Sequence, residues 1–140
     1  MSVIAHHLIW TNYGTWLGND PRGSGSRRIY TPALASLDEL HYGRRRTQPK
    51  RQMVQEFYKN AELLLQFPII RFRPDQFAEI ADTFAETIRN RRYTCYACAI
   101  LPVHVHLVVR KHRDRAEEMI ENFQADSRRC LQSNHMVPVD

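Results

Sequence analysis

Cysteine is scarce in this chain, with only three in 140 residues. An odd number of so few excludes the fully paired disulfide framework on which small secreted domains depend. Cys95 and Cys98 have the spacing of a zinc knuckle. In a regular strand, however, residues three apart point to opposite faces, so they are expected to pack rather than share a metal. No apolar stretch approaches the roughly 20 residues that span a bilayer. The opening Met1-Ser2-Val3-Ile4-Ala5-His6-His7 has neither the basic flank nor the apolar run of a secretory signal. These absences argue against a membrane role and point to a cytoplasmic protein. Internal repeats and low-complexity tails are also lacking.

What is present is the composition of a folded domain: 43% hydrophobic and 25% charged residues. At this length a single domain over residues 1–140 is expected. Twenty Lys and Arg against fifteen Asp and Glu give a formal charge of +5. A modest basic excess favours polyanions without specifying one. Its distribution says more, with clusters at Arg22–Arg28, Arg44–Arg51, Arg89–Arg92, Arg110–Arg115 and Arg128–Arg129. Arg far outnumbers Lys, and the guanidinium fork suits bidentate phosphate contacts.

Val3–Thr11 is β-branched and aromatic and reads as a strand. Gly14, Gly18, Gly23 and Gly25 with Pro21 then crowd into one stretch that cannot hold a ladder. A basic, Gly- and Pro-containing loop region is expected over residues 12–49. Loops that long are usually functional or mobile. From Lys50 the residues Met53, Val54, Phe57, Ala61, Leu64 and Leu65 recur on one helical face. Phe67–Phe72 looks like a short strand. Pro74 opens a second amphipathic helix carrying Phe77, Ile80, Ala81, Phe84 and Ile88. Tyr93–Leu101 and His104–Arg110 read as strands joined at Pro102, and a last helix runs from about Arg115 to Leu131. The order predicts an α+β fold, a ferredoxin-like antiparallel sheet with helices on one face.

Alternation along a strand places His104 and His106 on one face, with Val105, Leu107 and Val109 on the other, toward the helices. Two imidazoles so placed can chelate one divalent cation. The plainer reading is two histidines on the polar face of a half-exposed strand, and spacing alone favours it.

The run Ala97-Cys-Ala-Ile-Leu-Pro-Val-His-Val-His-Leu-Val-Val109 resembles single-tyrosine HUH transposases, where an apolar strand and a Pro-containing turn lead into the histidine pair. Trp10-Thr-Asn-Tyr-Gly-Thr-Trp-Leu-Gly-Asn-Asp-Pro-Arg-Gly-Ser24 is similar to the loop after strand one in a bacterial subgroup related to the REP-associated tyrosine transposases. The resemblance implies cleavage of single-stranded DNA near hairpins and strand transfer, through a tyrosine that becomes joined to a 5′ phosphate. It implies that His104 and His106 hold Mg²⁺ or Mn²⁺ as a Lewis acid on the scissile phosphate. It also implies a homodimer.

In the family the nucleophile lies on a helix well after the histidines, with Gln four residues later as a third ligand. No tyrosine follows His106 here. The tyrosine helix is therefore expected to be missing and cleavage impaired, which leaves a non-catalytic nucleic-acid-binding remnant as the alternative. Tyr58 and Glu62, four apart on the first helix, imitate the nucleophile-and-ligand spacing in the wrong place. Tyr93 and Tyr96 are expected to pack or stack. His6 and His7 are neighbours in strand one, so one of them shares the face of the pair. His7 is the candidate third ligand, with an orienting hydrogen bond as the other possibility. His112 is expected to face solvent.

Candidate nucleic-acid contacts are Tyr13 and Trp16, whose rings can stack on unpaired bases. To these are added Arg22, Arg27 and Arg28 in the loop, and Arg110, Lys111, Arg113 and Arg115 at the end of the histidine strand. A small His-dependent metallohydrolase ranks last, because nothing in the spacing places Asp75 or Asp82 near the pair.

Overall fold

The computed structural model describes residues 1–136. In chain order the elements are β1 (Ala5–Thr11), a 3-10 helix (Pro32–Ser36), α1 (Arg51–Glu62), α2 (Pro74–Arg91), β2 (Cys95–Ile100), β3 (His104–Arg110) and α3 (Ala116–Ser133). They divide into two compact units. Among the described residues, one joins Met1–Thr11 to residues 71–136, and the other is Asn12–Ile70.

The first unit is α+β. β1, β3 and β2 form an antiparallel three-stranded sheet in that order, with β3 central, and α2 and α3 pack against it and each other. This is the ferredoxin-like arrangement with helices on one face. The two-residue period of β3 explains it: Val105, Leu107 and Val109 are buried, while His104, His106 and Val108 are only half-buried. The valines and the leucine join Leu8, Ile80, Phe84, Tyr93, Met119, Phe123 and Leu131 in one core. Full burial of each aliphatic side chain is worth roughly 1.5–3 kcal/mol. α2 begins with Pro74 in its first turn, and the Gln76 side chain accepts the Arg73 backbone N–H at 2.8 Å. It ends on Arg92 in the left-handed region, with Arg89 and Arg91 in the last turn where the helix dipole favours cations. Glu118 plays the matching part at the start of α3, accepting the Arg115 N–H at 2.6 Å.

In the second unit the long loop has its own small core, in which Leu34, Phe57 and Ala61 are buried. Its buried polar residues tie the turns together. Asn19 donates to the carbonyls of Leu34 and Asp38 at 2.8 and 3.0 Å, and the Ser24 hydroxyl donates to Gly18 at 2.7 Å. Backbone bonds link Ser24 to His41 and Gly43, and Arg45 to Arg22. At Gly23, φ is +93° and an added Cβ would lie 1.9 Å from the Gly43 carbonyl, so only glycine permits this approach.

Three sequence expectations are corrected. Phe67–Phe72 is not a strand. Phe67 and Ile70 are exposed, and the backbone there makes single bonds, Ile70 to Tyr13 and Phe72 to Pro102. Cys95 and Cys98 do not face opposite ways. A register shift lets Tyr96 bulge, so Cys95 pairs with Val109 and Cys98 with Leu107, both on the helix side. His112 does not face solvent. Its ring packs edge-on against Tyr93 at 4.9 Å and its side chain is only 19% exposed.

Candidate functional site

The register of the sheet assembles a histidine row on the face away from the helices. β1 runs antiparallel to β3, so His7 pairs with Val108, Ile9 with His106 and Thr11 with His104. Directly paired residues share a face, and diagonal neighbours are within reach of long side chains. Accordingly His7 Nε2 lies 3.0 Å from His106 Nδ1, with the rings stacked at 5.2 Å. His104 and His106 sit edge to face at 4.9 Å. Ile9, 48% exposed, and the small Ala99 flank His106 from the two neighbouring strands. His6 has the opposite parity and pairs with Val109 on the helix side.

The contact with His7 has a chemical consequence. One of the two facing nitrogens must carry the proton. If His106 Nδ1–H donates to His7, the Nε2 lone pair of His106 is free to bind a cation. If His7 donates, Nε2 of His106 carries its own hydrogen and cannot. Metal-binding histidines usually donate their second ring N–H to a neighbour, which fixes the tautomer. His7 is placed to accept that bond and so to act as an orienting partner. Among the described residues no group of three or more His, Cys, Asp or Glu could hold an ion. His104 and His106, with ring centroids 4.9 Å apart, are the two residues of this face that could offer ring nitrogens to a cation.

Arg110 continues the same face of β3, about 13 Å beyond His106 at the ordinary strand rise. It is exposed, as are Lys111, Arg113 and Arg115. This basic end of the central strand lies in the same compact unit as the histidines.

The remaining predicted residues belong to the second unit. Tyr58 is held by its hydroxyl, which donates to the Asp20 carboxylate and accepts the Leu17 N–H at 3.2 Å. Burial, and then the neighbouring Asp20, push the phenol well above its ordinary range, so it is a poor source of phenolate. Glu62 is exposed at the end of α1. Tyr13 is partly exposed and meets Phe67 edge-on at 5.9 Å. Arg27 stacks over Tyr42 at 4.5 Å and Arg28 over Tyr30 at 4.4 Å.

Trp16 is 45% exposed, and Arg22 lies over its ring at 3.9 Å. Asp20, which is fully buried, grips Arg22 with both carboxylate oxygens at 2.9 and 2.7 Å and also accepts the Arg22 backbone N–H at 2.8 Å. Burial alone would raise the Asp20 pKa. The bonds from Arg22 and Tyr58 and the guanidinium charge outweigh it and bring the carboxyl below its usual range. Asp20 escaped the reading of the sequence as a functional residue. The available signal was the Asp-Pro-Arg-Gly turn, in which an Asp side chain caps the backbone two residues on.

Tyr93 and Tyr96, expected to pack or stack, part ways. The Tyr93 hydroxyl donates to Asp114 at 2.8 Å in the core, while Tyr96 is 62% exposed at the bulge. No helix among the described residues is long and apolar enough to cross a membrane. No protein-family model, curated protein or solved structure matches this chain.

Proposed function

We propose that the chain is an HUH-type domain that binds single-stranded or hairpin DNA and a divalent cation, Mg²⁺ or Mn²⁺, in the cytoplasm. One observation carries the reading: two imidazoles from the central strand project edge to face, ring centroids 4.9 Å apart, on the face of the sheet away from the helices. In this reading His104 and His106 hold the cation, and His7 accepts the His106 Nδ1–H and keeps its ring aligned. A cation held there would supply Lewis-acid polarisation to a backbone phosphate. Arg110, Lys111, Arg113 and Arg115 take the neighbouring phosphates, where guanidinium and ammonium groups supply charge and position but no sequence preference.

The family's full reaction is cleavage and strand transfer through a phosphotyrosine, usually within a homodimer. Here Tyr58 has its hydroxyl committed to Asp20 and Leu17, and its pKa is raised rather than lowered. That favours a second reading of the same site, in which this chain holds DNA and metal without cutting. The two readings separate on one experiment. A labelled hairpin oligonucleotide is incubated with the protein and Mn²⁺, then run on native and denaturing gels. Retardation on the native gel that weakens with salt supports both readings, and a covalent adduct on the denaturing gel supports cleavage. No retardation at low salt contradicts both.

A further inference from the structure

Within the second unit a cleft of about 500 Å³ is lined by residues that include Trp16, Arg22, Gly25, Gly43, Arg44 and Gln48. We propose that this cleft takes one unpaired nucleotide of a DNA single strand, its base stacked against Trp16 and Arg22 and its phosphate on Arg44. The assignment deepens the DNA-binding reading and rests on it.

Four observations carry it. The volume lies in the range of small-ligand sites, roughly 300–1,000 Å³. The stacking surface is already built: Trp16 Nε1–H donates to the Gly23 carbonyl at 3.3 Å, and the guanidinium 3.9 Å above its ring is clamped by Asp20. A flat ligand therefore finds its partners ordered beforehand, which removes much of the entropy cost of binding. Every base presents a π-face, so such a surface accepts unpaired bases of any sequence.

Gly25 adds no side chain to the lining. Gly25 lies outside the left-handed region and an added Cβ there would meet nothing within 4 Å. Backbone strain does not require a glycine at that position, and a side chain placed there would enter open space. Lastly, Arg22 has its charge balanced by a buried carboxylate, whereas Arg44 is exposed at the rim, where a phosphate can reach it.

The chain has two tryptophans, so a Trp10→Phe background leaves Trp16 as the reporter. Circular dichroism confirms that this background and each variant below are folded. A short oligothymidylate is titrated into this protein while tryptophan fluorescence and the anisotropy of a label on the strand are followed together. The proposal expects saturable quenching that tracks the anisotropy. Gly25→Val, which narrows the cleft without backbone strain, should weaken strand binding at least tenfold. Arg44→Ala should reduce the slope of log affinity against log salt by about 0.7.

Anisotropy that rises while Trp16 stays unquenched, or unchanged affinity in Gly25→Val, overturns the pocket and leaves the DNA-binding reading standing. A strand that does not bind at all overturns both. Thymidine monophosphate quenching Trp16 as tightly as the strand overturns the strand assignment in favour of a free nucleotide.

Discussion

The Nε2 atom of His7 and the Nδ1 atom of His106 face each other at 3.0 Å across two antiparallel strands, although the residues are 99 positions apart in the chain. The sheet register produces this contact, since His7 is paired with Val108 and so lies diagonal to His106. A hydrogen bond there selects which nitrogen of His106 remains available, and in the proposed reading His7 acts as a positioning residue. His7→Phe keeps a ring for stacking but removes the acceptor. It is predicted to weaken Mn²⁺ binding about 10- to 100-fold, read by isothermal titration, while His7→Gln, which retains an acceptor, recovers part of the loss. Equal affinity in His7→Phe and the parent protein contradicts the role.

Asp20 is the electrostatic anchor of the second unit. Asp20→Asn leaves the Arg22 guanidinium with only a neutral partner and is predicted to cost about 3 kcal/mol in urea denaturation. Tyr58→Phe removes one hydrogen bond to the same carboxylate and should cost about 1.5 kcal/mol. A hairpin-DNA adduct formed by the parent protein and lost in Tyr58→Phe would show that this hydroxyl is a nucleophile after all.

The pH dependence follows from the same group. The folded pKa of Asp20 is depressed, so its ionised form stabilises the fold at any pH above the unfolded value of about 3.9. That contribution is lost as the pH falls through the lower, folded pKa. The melting temperature of the parent protein should therefore drop more steeply below about pH 4 than that of Asp20→Asn. Parallel curves for the two proteins would remove Asp20 from this account.

If DNA runs past the end of β3 as proposed, the charge there sets the ionic-strength dependence of binding. Replacing Arg110 or Lys111 with Ala should weaken hairpin binding without changing its sequence preference. Each should lower the salt slope by about 0.7–0.9 if the side chain contacts a phosphate. A slope that does not move in either variant places the DNA elsewhere.

The histidine strand was legible because alternation is enforced by burial. Val105, Leu107 and Val109 must enter the core, and that alone turns His104 and His106 outward. Helix α2 was equally plain, since Pro74 starts it and Ile80 and Phe84 fall on its buried face. The bulge at Tyr96 was not legible, because one extra residue changes parity without leaving a periodic trace. Phe67–Phe72 misled for a related reason: its β-branched and aromatic content suits a strand, but strand propensity depends on a neighbouring ladder. In the loop, order comes from side-chain bonds between residues distant in sequence, such as Asn19 to Asp38 and Tyr58 to Asp20, and no periodicity announces them.

In the proposed reading His104 and His106 together hold a divalent cation. Its most direct test is the electron paramagnetic resonance of Mn²⁺ titrated into the protein. The parent should bind a single ion, His104→Ala and His106→Ala should each lose it, and all three should melt within a few degrees of one another. Mn²⁺ retained with unchanged affinity when both histidines are replaced, or no binding by the parent, would contradict the account.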